Sequence, residues 1–113
     1  MTMHSYRPSA NRNILVEMGF DRPLNRLFLT IYENPNSDQE VFLYNCLDDP
    51  ERSTFTDHSV PKTDLLASFC RKIMDVSKGA WDIPDQMKLN ILEDAFVCRG
   101  NQLTTYELSL IHI

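Results

Sequence analysis

From Thr63 to Gly79 the segment TDLLASFCRKIMDVSKG sets Leu65, Leu66, Phe69, Cys70, Ile73 and Met74 at helical spacing. This is the pattern of a helix that is apolar along one wide stripe. Such a stripe is unstable in water unless an apolar surface of similar length covers it. Thr63 or Ser59 can cap its start, Pro61 lies near the first turn, and Gly79 is a natural stop. A second helical pattern runs from Pro84, with Met87, Ile91, Leu92, Ala95 and Phe96 inward, and ends at Gly100-Asn101.

The surface that both helices need is supplied by β-type runs. In Leu24–Tyr32, Leu27, Leu29 and Ile31 alternate with Phe28, Thr30 and Tyr32. ENPNSDQ then forms a turn, and Glu40–Cys46 is a second strand, which together read as an antiparallel hairpin. Both faces of this hairpin are rather apolar, so its sheet is covered on one side and partly covered, or paired with another chain, on the other. QLTTYE reads as a later strand. The expected fold is α+β: a small antiparallel sheet, made of the hairpin and the later strand, covered by two helices in the order β-β-α-α-β.

Two terminal segments stand outside this pattern. Residues 1–17 are polar and turn-rich, with no apolar period before Ile14, so they read as a disordered arm. An alternative start at Met18 would make them translated upstream DNA. The final LSLIHI, Leu108–Ile113, is identical to the translation of CTG TCT CTT ATA CAC ATC and resembles a transposon-end sequencing adaptor, which would leave His112 without a function. The expected organisation is therefore one α+β domain over residues 18–107.

Charge narrows the function. A net charge of −5, with eleven scattered basic residues, disfavours direct nucleic-acid binding and anionic membranes. Cys46, Cys70 and Cys98 form an odd set with no C-x-x-C pair, which fits reduced thiols in the cytoplasm. The sequence contains no apolar run of transmembrane length.

Catalytic signatures are weak. Three isolated glycines do not build a phosphate loop, and the chain implies no cofactor. The densest polar cluster, Asp48, Asp49, Glu51, Asp57 and His58, offers carboxylates and an imidazole for a metal or an acid/base pair. These residue types are also routine in a turn around Pro50, so a solvated connection is the simpler reading. Cys70 with His58 could suggest a thiol nucleophile, but Cys70 sits in the apolar stripe. Trp81, between the helices, is a candidate anchor for a partner or a packed hinge, and Phe42 and Tyr44 are candidate contacts on the hairpin.

One segment resembles a known group. Gly19, Phe20, Asp21, Arg22, Pro23 and Leu24 precede Phe28, with Asp48-Asp49-Pro50 later, and this is similar to small bacterial proteins of unknown function that open in the same way. The resemblance implies no activity and supports a start at Met18. Asp21 and Arg22 read as a turn lock or as a contact for another macromolecule. The leading expectation is a small non-enzymatic accessory protein of a bacterium or its mobile DNA, which binds another protein and could itself be a homodimer. The alternatives are a metal-assisted hydrolase using the Asp48–His58 loop and an acidic nucleic-acid mimic.

Overall fold

The computed structural model describes residues 1–9, 11–81, 83–100 and 102–106. Glu107 and the adaptor-like Leu108–Ile113, including His112, lie outside the described residues. The fold is α+β. Strands β1 (Thr2–Tyr6), β2 (Ile14–Asp21), β3 (Arg26–Glu33) and β4 (Val41–Asn45) come first. A 3₁₀ turn (Cys46–Asp48) and helices α1 (Arg52–Phe55), α2 (Lys62–Ser77) and α3 (Asp85–Phe96) follow, and then β5 (Gln102–Tyr106).

The sheet has the order β4-β3-β2-β1-β5. The first four strands form an antiparallel meander, and β5 joins β1 in parallel. That parallel pairing follows from the route: a chain that crosses the sheet through helices can return in the same direction. The expected β-β-α-α-β order thus corresponds to β3, β4, α2, α3 and β5, preceded by two further strands.

Those two strands correct the reading of residues 1–17 as a disordered arm. Thr2, His4 and Tyr6 are buried, Ile14 and Val16 likewise, and β1 lies between β2 and β5. The inward positions of β1 are Thr, His and Tyr, so the run carries no apolar alternation, and its burial depends on polar partners from distant parts of the chain.

Gly19 shows how close that docking is. A Cβ at this position would lie 2.1 Å from the Thr2 carbonyl oxygen and 3.0 Å from Phe28 Cζ. The Phe20 N–H also donates to Thr2 Oγ1 at 3.2 Å. Met18 and Gly19 therefore lie inside β2, where the glycine admits the backbone of β1.

Turn chemistry sets the meander. The Asn25 N–H donates to the Arg22 carbonyl at 3.1 Å, and Asn25 adopts φ 50°, a left-handed conformation that asparagine tolerates. The β3–β4 loop uses Asn34 and Asn36 in the same way, with Ser37 Oγ donating to the Asn34 carbonyl at 2.9 Å.

One face of the sheet carries the core. Leu27, Leu29, Ile31, Val16, Met18 and Phe20 point toward α2 and α3, meeting Leu65, Phe69, Ile73, Met87 and Ile91. Helix α2 lies on β3, and α3 lies on β1 and β2. Pro61, rather than Thr63 or Ser59, occupies the N-cap of α2, and its carbonyl accepts from the Asp64 N–H. The helix closes through left-handed Lys78 and Gly79. The connection read as solvated also contributes to the core, because Phe55 of α1 packs edge-on against Phe69 at 4.9 Å. Two stripe positions are not inward: Met74 is exposed, and Phe96 is 89% exposed because α3 ends there.

Candidate protein interface

No helix covers the other face of the sheet among the described residues, and the strand register orders its side chains. Thr105, Ser5, Glu17, Thr30 and Asn45 form a polar row across all five strands. Leu15, Tyr32 and Phe42 make an apolar row on one side of it. Leu103 and Met3, followed by Gly19 and Phe28, make a second on the other side. Phe42 is 58% exposed and Leu103 is 80% exposed.

The aromatic groups on this face are ordered by their neighbours. The Tyr32 and Phe42 rings lie 5.0 Å apart at 43°, within the range of favourable aromatic pairs. Burial, the Glu17 charge and a hydrogen bond to the Glu17 carboxylate, with Glu40 adding to them, push the Tyr32 hydroxyl up to about 12. A bulge between Tyr44 and Phe42 sends these two side chains to opposite faces.

The structure separates the sequence candidates. Phe42 stands on the open face. Tyr44 points inward instead, and its hydroxyl donates to Asp49 Oδ2 at 2.5 Å. Trp81 is 8% exposed and is packed into the core at the edge of a cleft of about 570 Å³. Asp21 pairs in register with Arg26 at the end of the β2–β3 hairpin, and Arg22 begins its turn.

The Asp48–His58 loop does not converge on one point. Asp49 is buried and accepts from Tyr44 and, at 2.8 Å, from the Glu51 N–H, and Lys72 Nζ lies 3.3 Å away. Burial pushes the Asp49 carboxyl up, but the hydrogen bonds from Tyr44, Glu51 and Lys72 outweigh it and hold the group below the usual carboxylate range. Lys72 also meets Glu51 at 2.8 Å. Asp57 accepts from the Ser59 N–H and hydroxyl, while Asp48 and His58 are exposed. Among the described residues no three His, Cys, Asp or Glu side chains are grouped to hold a metal.

A buried polar cluster went unread in the sequence. His4 Nε2 lies 2.5 Å from Asp94 Oδ2, and His4 Nδ1 lies 2.8 Å from the Tyr106 hydroxyl. Asn90 Nδ2 donates to that hydroxyl at 2.9 Å. The hydroxyl is then left to donate to His4 Nδ1, so Nε2 carries the proton directed at Asp94. Arg99 Nε stands 2.7 Å from Asp94 Oδ1 but off the line of its N–H, an ion pair without a directed hydrogen bond. Burial, with a smaller contribution from Asp94, raises the Tyr106 hydroxyl, while Asn90 acts against it. Both imidazole nitrogens are occupied, so the cluster serves to join β1, α3 and β5. Its one signal in the sequence is Asp94, a carboxylate on the inward stripe of Met87 and Ile91.

No helix among the described residues is long and apolar enough to cross a membrane. No family model matches the chain, and no curated protein or solved structure matches it.

Proposed function

We propose that this chain is a non-enzymatic interaction protein that holds a partner protein on the open face of its sheet. One observation carries the reading: two apolar rows flank the Glu17 carboxylate on a face that no helix among the described residues covers. The matching partner presents a Lys or Arg toward Glu17, with apolar groups on either side of it. Such a centre-and-flank arrangement suits recognition, because the charge sets register while the apolar area supplies affinity.

The net charge of −5 favours a basic partner. Three cysteines with no C-x-x-C pair fit a reducing compartment such as the cytoplasm. The resemblance around Gly19–Leu24 supports a bacterial origin, and the small size of the chain fits an accessory role there or on mobile DNA. Two observations weigh against the other readings. Asp49, the buried carboxylate of the hydrolase loop, is already held by Tyr44 and Lys72. The carboxylates that a nucleic-acid mimic would display are interleaved with cations, as in Glu51 on Lys72 and Glu93 on Arg99.

The test is capture of a partner from the native host by wild type, Phe28→Asp and Glu17→Lys, with folding checked by circular dichroism. A protein captured by wild type and lost from both variants supports the open face. Capture unchanged in both refutes it.

A further inference from the structure

We infer that two copies of this chain join edge to edge through β4, in an antiparallel two-fold pair that continues the sheet from one protomer into the next. β4 has a single neighbour, β3, so the backbone groups on its far side face no strand among the described residues. Edge strands are normally guarded by charges, proline or distortion. The sequence VFLYN has neither charge nor proline, and its one distortion is the bulge at Leu43. Val41 and Phe42 are exposed side by side. The opposite edge, β5, pairs polar Gln102, Thr104 and Thr105 with the exposed Leu103 and offers a weaker apolar contact.

Charge selects a second copy as the occupant and fixes its direction. Glu33, Asp38 and Glu40 surround the start of β4, and Glu33 lies opposite Val41. At its other end Arg26 acts on Cys46, and Arg52 donates to the Leu47 carbonyl. The acids at that end are Asp21, in register with Arg26, the exposed Asp48, and the pair Asp49 and Glu51, both held on Lys72. Among the described residues Arg52 is thus the cation there that faces no acid in register. Antiparallel pairing of two β4 strands sets the acidic end of each against the arginine-bearing end of the other. Face-to-face stacking would instead bring two Glu17 carboxylates into a dry interface, an expensive arrangement. The edge pairing is isologous, so it closes at two copies and does not propagate into a fibre. It also leaves the open face free, and the inference stands apart from the proposed partner site.

Light scattering on a sizing column, over a concentration series up to about 100 μM, tests it. The samples are wild type, Val41→Lys and, on the other edge, Leu103→Lys. The expected masses are twice the 13.1 kDa of one chain for wild type and Leu103→Lys, and 13.1 kDa for Val41→Lys. A wild type of 13.1 kDa at every concentration, or a Val41→Lys variant that stays dimeric, overturns the inference. If Val41→Lys does not fold, hydrogen exchange of the wild type decides. Protection of the 41–45 amides must rise with concentration, and protection that does not change overturns the edge pairing.

Discussion

Removing the Asp94 carboxylate should cost this domain about 3 kcal/mol, worked from the groups it leaves behind. Asp94 is 4% exposed, and its two oxygens serve different partners. His4, 3% exposed, would keep a buried N–H at Nε2 without an acceptor, which costs up to ~3 kcal/mol. Arg99 is more accessible and can rehydrate, so its loss is about 1 kcal/mol. Against these, alanine is the better helix former by about 0.5 kcal/mol. A negative charge near the C-terminus of α3 is also unfavourable by about 0.5 kcal/mol, which its removal returns. The net of about 3 kcal/mol corresponds to about 12 °C in Tm for a domain of this size.

Asp94→Asn separates the two halves. The amide oxygen can still accept from His4, so only the Arg99 side is lost, at about 1 kcal/mol. Urea unfolding of wild type, Asp94→Ala and Asp94→Asn measures both values. A loss below about 1 kcal/mol for Asp94→Ala would refute the view that this carboxylate holds β1 and β5 to α3.

Two further outcomes can be checked in the same assay. Gly19→Ala should cost 2 kcal/mol or more, roughly the penalty of overpacking, because the new methyl meets the Thr2 backbone and not a side chain that can turn away; a neutral substitution would mean that β1 does not approach β2 as described. The raised Tyr32 hydroxyl favours the protonated form in the folded state. Its contribution is therefore complete below pH 10, the ordinary tyrosine value, and is lost as pH rises toward about 12. Tyr32→Phe should flatten part of the fall in stability between pH 9 and 11, roughly the foot of that titration. The remaining slope is shared by Cys46, Tyr44, Tyr106 and Lys72, all of which are also raised.

Much of the architecture is legible in the residues because it follows local periodicity. Leu65, Phe69 and Ile73 recur at helical spacing, and Leu27, Leu29 and Ile31 alternate. Each pattern names its element and its buried face without reference to the rest of the chain. The hairpin between Arg26 and Asn45 is legible for the same reason, with asparagines and a proline marking its turn. Phe42 as an exposed aromatic residue also follows from its place on a short strand.

What the sequence could not supply depends on partners far away in the chain. Thr2, His4 and Tyr6 look like a solvated lead-in, yet they are buried: Asp94 and Tyr106, about ninety to a hundred positions later, satisfy the His4 imidazole, and Thr2 accepts from the Phe20 N–H. Tyr44 and Trp81 have the composition of interface residues, yet Asp49 and the helical layer draw them inward. Amphipathic residues of this kind carry no local signal for which environment they enter. Periodicity along the chain determined the helices, the hairpin and the side of each that is apolar. The packing of distant segments alone decided that β1 lies inside the sheet, that β5 runs parallel to it, and that one broad face carries no helix among the described residues.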